Sequence, residues 1–220
     1  MSRILIFANG DLPDLEKARA LIRVDDFILC ADGGTRHALA LGLTPDFVIG
    51  DMDSVTTDEF QQLEKSGVAI ELFPRDKDET DLELAIRHAL EKKPQAILII
   101  AALGGRLDQT LGNISLLSDP RLSTLDCRLD DGLEEIFFCR ARSEVRGRSG
   151  DLVSLIPWHK KVEGVQTKNL KWPLHSEILY PEKTRGISNE MIGDTAEVSI
   201  ASGLLLIIHR RQSKIVNPKL

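Results

Sequence analysis

The chain has 220 residues, 42% of them hydrophobic and 28% charged, an ordinary globular balance with enough apolar side chain for one large domain or two small ones. No apolar run approaches the ~20 residues that a membrane span needs, and Met1 to Gly10 carries one basic residue and no small-residue cleavage site, so a cytoplasmic protein with no membrane partner is expected. The net charge of −6 divides into 16 Lys and Arg against 26 Asp and Glu up to residue 142 and 12 against 8 beyond it, so nucleic acid is not the expected partner, and any phosphate ligand of the acidic part would need a divalent cation as intermediary.

Short apolar runs alternate with helical spacing through the first part. Ile4 to Ala8 reads as a strand and residues 14 to 23 as a helix; Phe27 to Ala31 and 35 to 41 repeat the pattern, as do Phe47 to Ile49 and 57 to 66. Val68 to Phe73 is followed by a helix over 80 to 92, with Leu82, Ala85, Ile86, Ala89 and Leu90 on one face. Ala96 to Ala102 and a helix over 108 to 118 complete the series. Such near-continuous apolarity suggests a buried parallel sheet, so the repeat predicts an open α/β domain with helices on both sides.

Asp131-Gly132, between Leu125 to Leu129 and Glu135 to Cys139, reads as a hairpin leading out of that domain. Beyond residue 142 helical periodicity fades, and β-type runs such as Leu152 to Ile156, Ala196 to Ile200 and Leu204 to His209 lie between turn-rich stretches. The expected organisation is an α/β catalytic domain over 1–142 and a β-sandwich over 143–220. Cys30, Cys127 and Cys139 are odd in number, lack metal-ligand spacing and lie in apolar contexts that suit buried reduced thiols.

In open α/β sheets ligands bind beyond the carboxyl ends of the strands. The residues that follow the five runs are Asn9-Gly10-Asp11, Asp32-Gly33-Gly34, Gly50-Asp51-Met52-Asp53-Ser54, Asp76 to Asp81, and Gly104 to Gln109. Asp, Asn and Gly are also turn and cap residues, and Thr80 before Asp81 to Leu84 could simply open a helix. That plain alternative does not account for all five loops, because Asp32, Asp51, Asp53, Asp78 and Asp81 at one sheet edge repel one another unless a cation is bound.

Hard oxygen ligands without a His/Cys cluster indicate Mg²⁺, or Mn²⁺, shared with substrate phosphates. Gly33-Gly34 and Gly104-Gly105 would let backbone amides approach phosphate oxygens, and Arg106 could place a fixed charge on a transferring group. Neither GxxxxGK[ST] nor a GxGxxG after a strand is present. Phe47 to Val55 resembles the nucleophile motif of haloacid-dehalogenase-type phosphatases, which would make Asp51 a nucleophile, although that family carries the motif on its first strand.

Taken in order, Ala31 to Gly34, Pro45 to Ser54, Asp76 to Leu82 and Gly104 to Asn113 resemble the successive motifs of the thiamine pyrophosphokinases, and Asn169 to Leu174 and Gly186 to Glu190 resemble that family's thiamine-side segments. The resemblance implies a homodimer with each active site between one subunit's catalytic domain and the partner's sandwich. It also implies transfer of the β,γ-diphosphate of MgATP to the hydroxyl of thiamine. By the same transfer Asp51, Asp53 and Asp81 are the metal ligands and, with Arg106, the catalytic group. Asn9, Asp32, Gly33, Gly34, Asp78, Thr80, Gly105, Asp108, Gln109 and Asn113 would surround ATP, and Trp172, Ser188 and Asn189 would contact thiamine. Two other readings stay open: a Mg²⁺-dependent phosphatase acting through Asp51, and a nucleotide- or thiamine-binding sensor without turnover.

Overall fold

The computed structural model describes residues 3 to 212, which fall into two compact units, Met1–Gly132 and Leu133–Leu220. The first unit contains the strands β1 (Arg3–Phe7), β2 (Phe27–Ala31), β3 (Phe47–Gly50), β4 (Ala69–Leu72), β5 (Ala96–Ile100) and β6 (Asp126–Asp130). All of its strand pairings are parallel, and they set the order β6-β5-β1-β2-β3-β4. The chain therefore builds outward from β1 to β4, returns, and adds β5 and β6 on the other side of β1. The strand order reverses at the β1–β5 pair, the switch point where an open α/β sheet leaves a crevice.

The helices are α1 (Leu15–Arg19), α2 (Thr35–Ala40), α3 (Thr57–Lys65), α4 (Asp81–Glu91) and α5 (Leu107–Leu116). Strand alternation divides the apolar side chains between two faces. Leu5, Phe7, Cys30, Val48, Leu98 and Ile100 form one buried cluster with Ala18, Ala38, Leu41 and Leu63 from the first three helical segments. Their neighbours Ile4, Ile6, Leu29 and Ile49 are equally buried, and α4 packs across β1, β2 and β3.

Two elements differ from the sequence expectation. The helix expected over 14 to 23 stops at Arg19, and the Leu21 carbonyl accepts from the Arg3 guanidinium at 2.7 Å, the same group that forks onto Asp26 at 2.7 and 2.6 Å. Strand β4 is not buried: it pairs only with β3 at the sheet edge, and Leu72 is 64% exposed.

The second unit contains β7 (Glu134–Cys139), β8 (Arg142–Arg146), β9 (Leu152–Pro157), β10 (Val162–Lys168), β11 (His175–Leu179), β12 (Asn189–Glu190), β13 (Thr195–Ser199) and β14 (Leu205–Arg210). Two antiparallel sheets, ordered β12-β9-β14-β7 and β11-β10-β13-β8, contribute to one core. Phe137, Leu155, Leu205 and Ile207 from the first meet Val145, Val165, Val198 and Leu179 from the second, the arrangement of a β-sandwich. Strand β7 belongs here through its pairing with β14, which sets the start of the unit at Leu133, earlier than the change of texture near residue 142. Strands β8, β10 and β11 are not evident in the sequence because none carries more than two apolar residues and those do not alternate, and β10 is interrupted by register shifts around Gly164.

The three cysteines are buried and unpaired, and burial pushes the Cys127 thiol up to about 12. No helix among the described residues is long and apolar enough to cross a membrane.

Glycine is required where α2 begins. A Cβ on Gly34 would lie 2.1 Å from the Phe7 carbonyl oxygen, whereas one on Gly42 would meet nothing within 4 Å. Gly34→Ala is expected to lower stability by at least ~2 kcal/mol, against about 1 kcal/mol for Gly42→Ala from its positive φ alone. Urea unfolding of the two variants checks this, and equal midpoints would show that the close approach is not maintained.

Candidate active site

A cleft of about 630 Å³ opens in the first unit beyond the carboxyl ends of β1, β2, β3 and β5. Its two sides are tied at the switch point. Gly10 N–H donates to the Ala101 carbonyl at 2.6 Å and Asp11 N–H to the Leu103 carbonyl at 2.8 Å. A side chain on Gly10 would collide with both carbonyl oxygens, at 2.6 and 2.5 Å. His37 Nε2 reaches the Gly10 carbonyl at 2.9 Å as a donor, and burial holds the imidazole below its ordinary pKa, so the neutral ring makes this contact. Asn9 lines the cleft and covers Gly33.

Asp32 leaves β2 with φ at 44°, a left-handed conformation that Asp tolerates better than most residues, and its side chain is buried. After β3 the chain passes through Gly50 with φ at 149°. A Cβ there would lie 2.9 Å from Asp32 Cβ and 3.0 Å from Asp81 Oδ1, so the missing side chain is what lets these two aspartates approach. Asp53 N–H caps Asp51 Oδ1 at 3.1 Å, and Ser54 Oγ donates to Asp53 Oδ1 at 3.1 Å. Thr80 Oγ1 accepts from Glu83 N–H at 3.2 Å, which makes Thr80 the cap of α4 and also a wall of the cleft.

Carboxylate oxygens of Asp32, Asp51 and Asp53 all lie within 4.8 Å of one another. At that spacing each pair of charges repels by about 1 to 4 kcal/mol, depending on local screening. Two cations offset part of this. Lys77 Nζ lies 3.1 Å from Asp81 Oδ1 and 3.5 Å from Asp51 Oδ2, and Arg75 Nη2 lies 3.3 Å from Asp53 Oδ2. Burial opposes ionisation of Asp51, but the Asp53 N–H, Lys77 and Arg75 prevail and hold its carboxyl below the ordinary range. Burial and the charges of Asp32 and Asp51 push the Asp81 carboxyl up against the pull of Lys77.

Two buried oxygens, Asp32 Oδ1 and Asp81 Oδ1, accept no hydrogen bond; the second is near Lys77 but not aligned for one. A buried, unpartnered Asp32 Oδ1 within a triangle of carboxylates fits a divalent cation of the Mg²⁺ class.

The β5 side carries the glycine pair. Gly104 and Gly105 have φ of 80° and 62°, and the Asp11 carboxylate fills the space beside Gly104 and accepts from Gly105 N–H at 2.9 Å. That amide already has an anionic partner within the chain. Arg106 precedes α5, is exposed, and forks onto Asp108 at 3.1 and 2.5 Å. Asn113 donates to the Ala102 carbonyl at 2.8 Å, and Gln109 lines the wall beside it.

Most of the expected ATP-side residues thus converge on the cleft: Asn9, Asp32, Thr80, Gly105, Gln109 and Asn113, together with Asp51, Asp53, Asp81 and Arg106. Gly33 and Gly34 do not line it but shape its floor by close packing, Asp78 is exposed outside it, and Asp108 acts on Arg106. Sequence reasoning gave no role to Arg75, Lys77 or Asp11, although Asp11 and Lys77 stand in the strand-end loops it singled out. The interleaved charges of Arg75 to Asp78 were a signal for the first two, whereas the role of Asp11 rests on Gly105, 94 residues away.

In the second unit Trp172 is 54% exposed, outside the sandwich core. Asn189 clamps it: Oδ1 accepts from Trp172 N–H at 3.0 Å and Nδ2 donates to the Trp172 carbonyl at 2.7 Å. Lys171 Nζ sits 5.1 Å from the indole centroid and 2.9 Å from Glu190. Ser188 has φ at 56°, and its N–H donates to Ser154 Oγ at 3.0 Å. The Asn189 amide is engaged with backbone, which makes it a support for Trp172.

Residues 18–129 match the family model described as thiamin pyrophosphokinase, catalytic domain, and residues 142–205 match thiamin pyrophosphokinase, vitamin B1 binding domain. The thiamine pyrophosphokinase of Bacillus subtilis is 34% identical over 179 residues, 80% of this chain and 84% of the relative. An Arabidopsis thaliana thiamine pyrophosphokinase is 32% identical over 66% of this chain and 64% of its own. The crystal structure of the Bacillus subtilis enzyme superposes with a TM-score of 0.87 at 29% identity, covering 96% of this chain and all of that one. The Candida albicans structure shares the fold with a TM-score of 0.80 at 17% identity, covering 96% of this chain and 89% of that one. With both units matched and the acidic cleft in place, the chain belongs to the thiamine pyrophosphokinase family.

Proposed function

We propose that this chain transfers the β,γ-diphosphate of MgATP to the hydroxyl of thiamine, with AMP as the leaving group. The observation that carries this reading is the set of crowded carboxylates, with the unpartnered buried Asp32 Oδ1 among them, beyond the ends of β2 and β3 in a thiamine pyrophosphokinase fold. Asp51, Asp53 and Asp81 would hold Mg²⁺, with Asp32 completing the ring of oxygens. When bound, the metal supplies positive charge to the phosphate oxygens, the main requirement of phosphoryl-type transfer.

The chain's own groups do the positioning. Arg106, exposed at the mouth of the cleft, can exchange its fork on Asp108 for phosphate oxygens. Asn9, Thr80, Gln109 and Asn113 form the walls against which the nucleotide is oriented. The exposed, clamped indole of Trp172 presents a flat face to a flat cationic heteroaromatic ring, and Ser188 and Asn189 hold the segment around it.

Buried unpaired cysteines suit work in the reducing cytosol. The active species is a homodimer, in which a net-positive β unit of one chain serves the acidic cleft of the other. Light scattering at assay concentration is expected to give twice the chain mass; a fully active monomer would remove this part of the proposal.

Asp51→Asn or Asp53→Asn removes one oxygen charge from the cluster and is expected to lower kcat by at least ~100-fold with the fold intact. Thiamine-dependent AMP formation at saturating Mg²⁺ is the measurement. Near-normal turnover would refute the metal assignment, and phosphate release without thiamine would favour a phosphatase acting through Asp51.

Trp172→Ala is expected to raise KM for thiamine roughly tenfold, the size of one good aromatic contact, with KM for ATP nearly unchanged. Thiamine should quench fluorescence of the native protein and much less that of the variant. Equal loss of affinity for both substrates would show that the indole does not stack on thiamine.

A further inference from the structure

The carboxylate cluster carries its own cation. Lys77 lies four residues before Asp81, on the loop that enters α4, and its side chain is only 10% exposed. Its ammonium bridges Asp81 Oδ1 at 3.1 Å and Asp51 Oδ2 at 3.5 Å, and the Asp51 side chain is 12% exposed, so little solvent screens the contact. Asp51 is also one corner of the Asp32, Asp51, Asp53 triangle. The same carboxylate is therefore claimed by an ammonium from one side and offered to a divalent cation from the other.

We propose that Lys77 is a built-in counter-ion that competes with the metal for Asp51 and Asp81, so that the metal binds well only together with the nucleotide. The proposal rests on the metal reading of the cleft given above. Without a ligand, Lys77 keeps the aspartates from driving one another apart. A divalent ion held by Asp51 would share that carboxylate with Nζ, 3.5 Å from Oδ2, and the two like charges would repel across a poorly screened gap. Lys77 lines the cleft, so a phosphate oxygen entering with the nucleotide can take over its ammonium and release Asp51 and Asp81. Metal and nucleotide then favour each other's binding through one side chain, and by linkage the coupling is reciprocal.

The exposed pair of Arg75 with Asp53 cannot play the same part, since the Arg75 side chain is 84% exposed and solvent competes for it.

The test is calorimetric titration of Mn²⁺ into the full-length protein with and without a non-hydrolysable ATP analogue. Lys77→Met is expected to bind Mn²⁺ roughly 10-fold or more tightly than the native protein when nucleotide is absent, because the competing charge is gone. The analogue should then improve Mn²⁺ affinity much less in the variant than in the native protein. Lys77→Arg, which keeps the charge, should behave like the native protein, and Lys77→Gln serves if the Met variant does not fold.

A purely structural lysine would leave metal affinity unchanged or weaken it in both neutral variants, and that result overturns the proposal. If native protein and neutral variants alike take up no Mn²⁺ even with the analogue, the metal reading itself fails and this inference falls with it. Binding in all of them with equal affinity sinks the inference alone.

Discussion

Mutual repulsion among aspartates at one edge of a parallel sheet governs how the cleft of the first unit is built. Asp32, Asp51 and Asp53 bring their oxygens within 4.8 Å of one another, and Asp81 stands beside them with a buried oxygen that accepts no hydrogen bond. A fold does not assemble such a group without something to offset it. Here the offsets are layered: Lys77 and Arg75 supply charge, the Asp53 N–H supplies a hydrogen bond, and the remaining demand matches a divalent cation carrying phosphate.

The scaffold answers this demand through backbone choices. Gly50 removes the one side chain that would separate Asp32 from Asp81, and Asp32 accepts a left-handed backbone to point into the cleft. Asp32 and Asp51 follow β2 and β3, next to the β1–β5 switch point, and share one cleft with the loops after β1 and β5. Residues that look like phosphate-binding glycines divide by role. Gly33 and Gly34 serve close packing, and Gly104-Gly105 forms a loop already ligated by Asp11.

Much of this was legible in the sequence because the relevant signals are local. Apolar runs such as Ile4 to Ala8 and Phe47 to Ile49 announce buried parallel strands, and the acidic and glycine residues that follow each run announce the functional edge. Thr80 was readable both as a helix cap and as a site residue, and it is both a cap and a cleft residue. What escaped depends on contacts between distant segments. The partner of Asp11 lies on the far side of the crevice, and the role of Asn189 becomes visible only once Trp172 is beside it, 17 residues away in sequence. Strands β8, β10 and β11 are half polar because one of their faces is solvated, so the periodicity that reveals buried strands is diluted in them.

The lacing of Gly10 and Asp11 to Ala101 and Leu103, with His37 on the Gly10 carbonyl, gives this side of the crevice the character of a mould instead of a jaw. The loops after β1 and β5 cannot part without breaking these backbone bonds, so the order of that side of the cleft is set during folding and binding need not supply it again. Adjustment to a substrate then falls to long side chains at the mouth, which move in nanoseconds, and not to slow opening of the frame. A pocket of this kind discriminates by rejecting shapes that do not fit an almost fixed cast. Its selectivity should therefore be robust to changes in the distant surface and sensitive to alterations in the lip residues themselves.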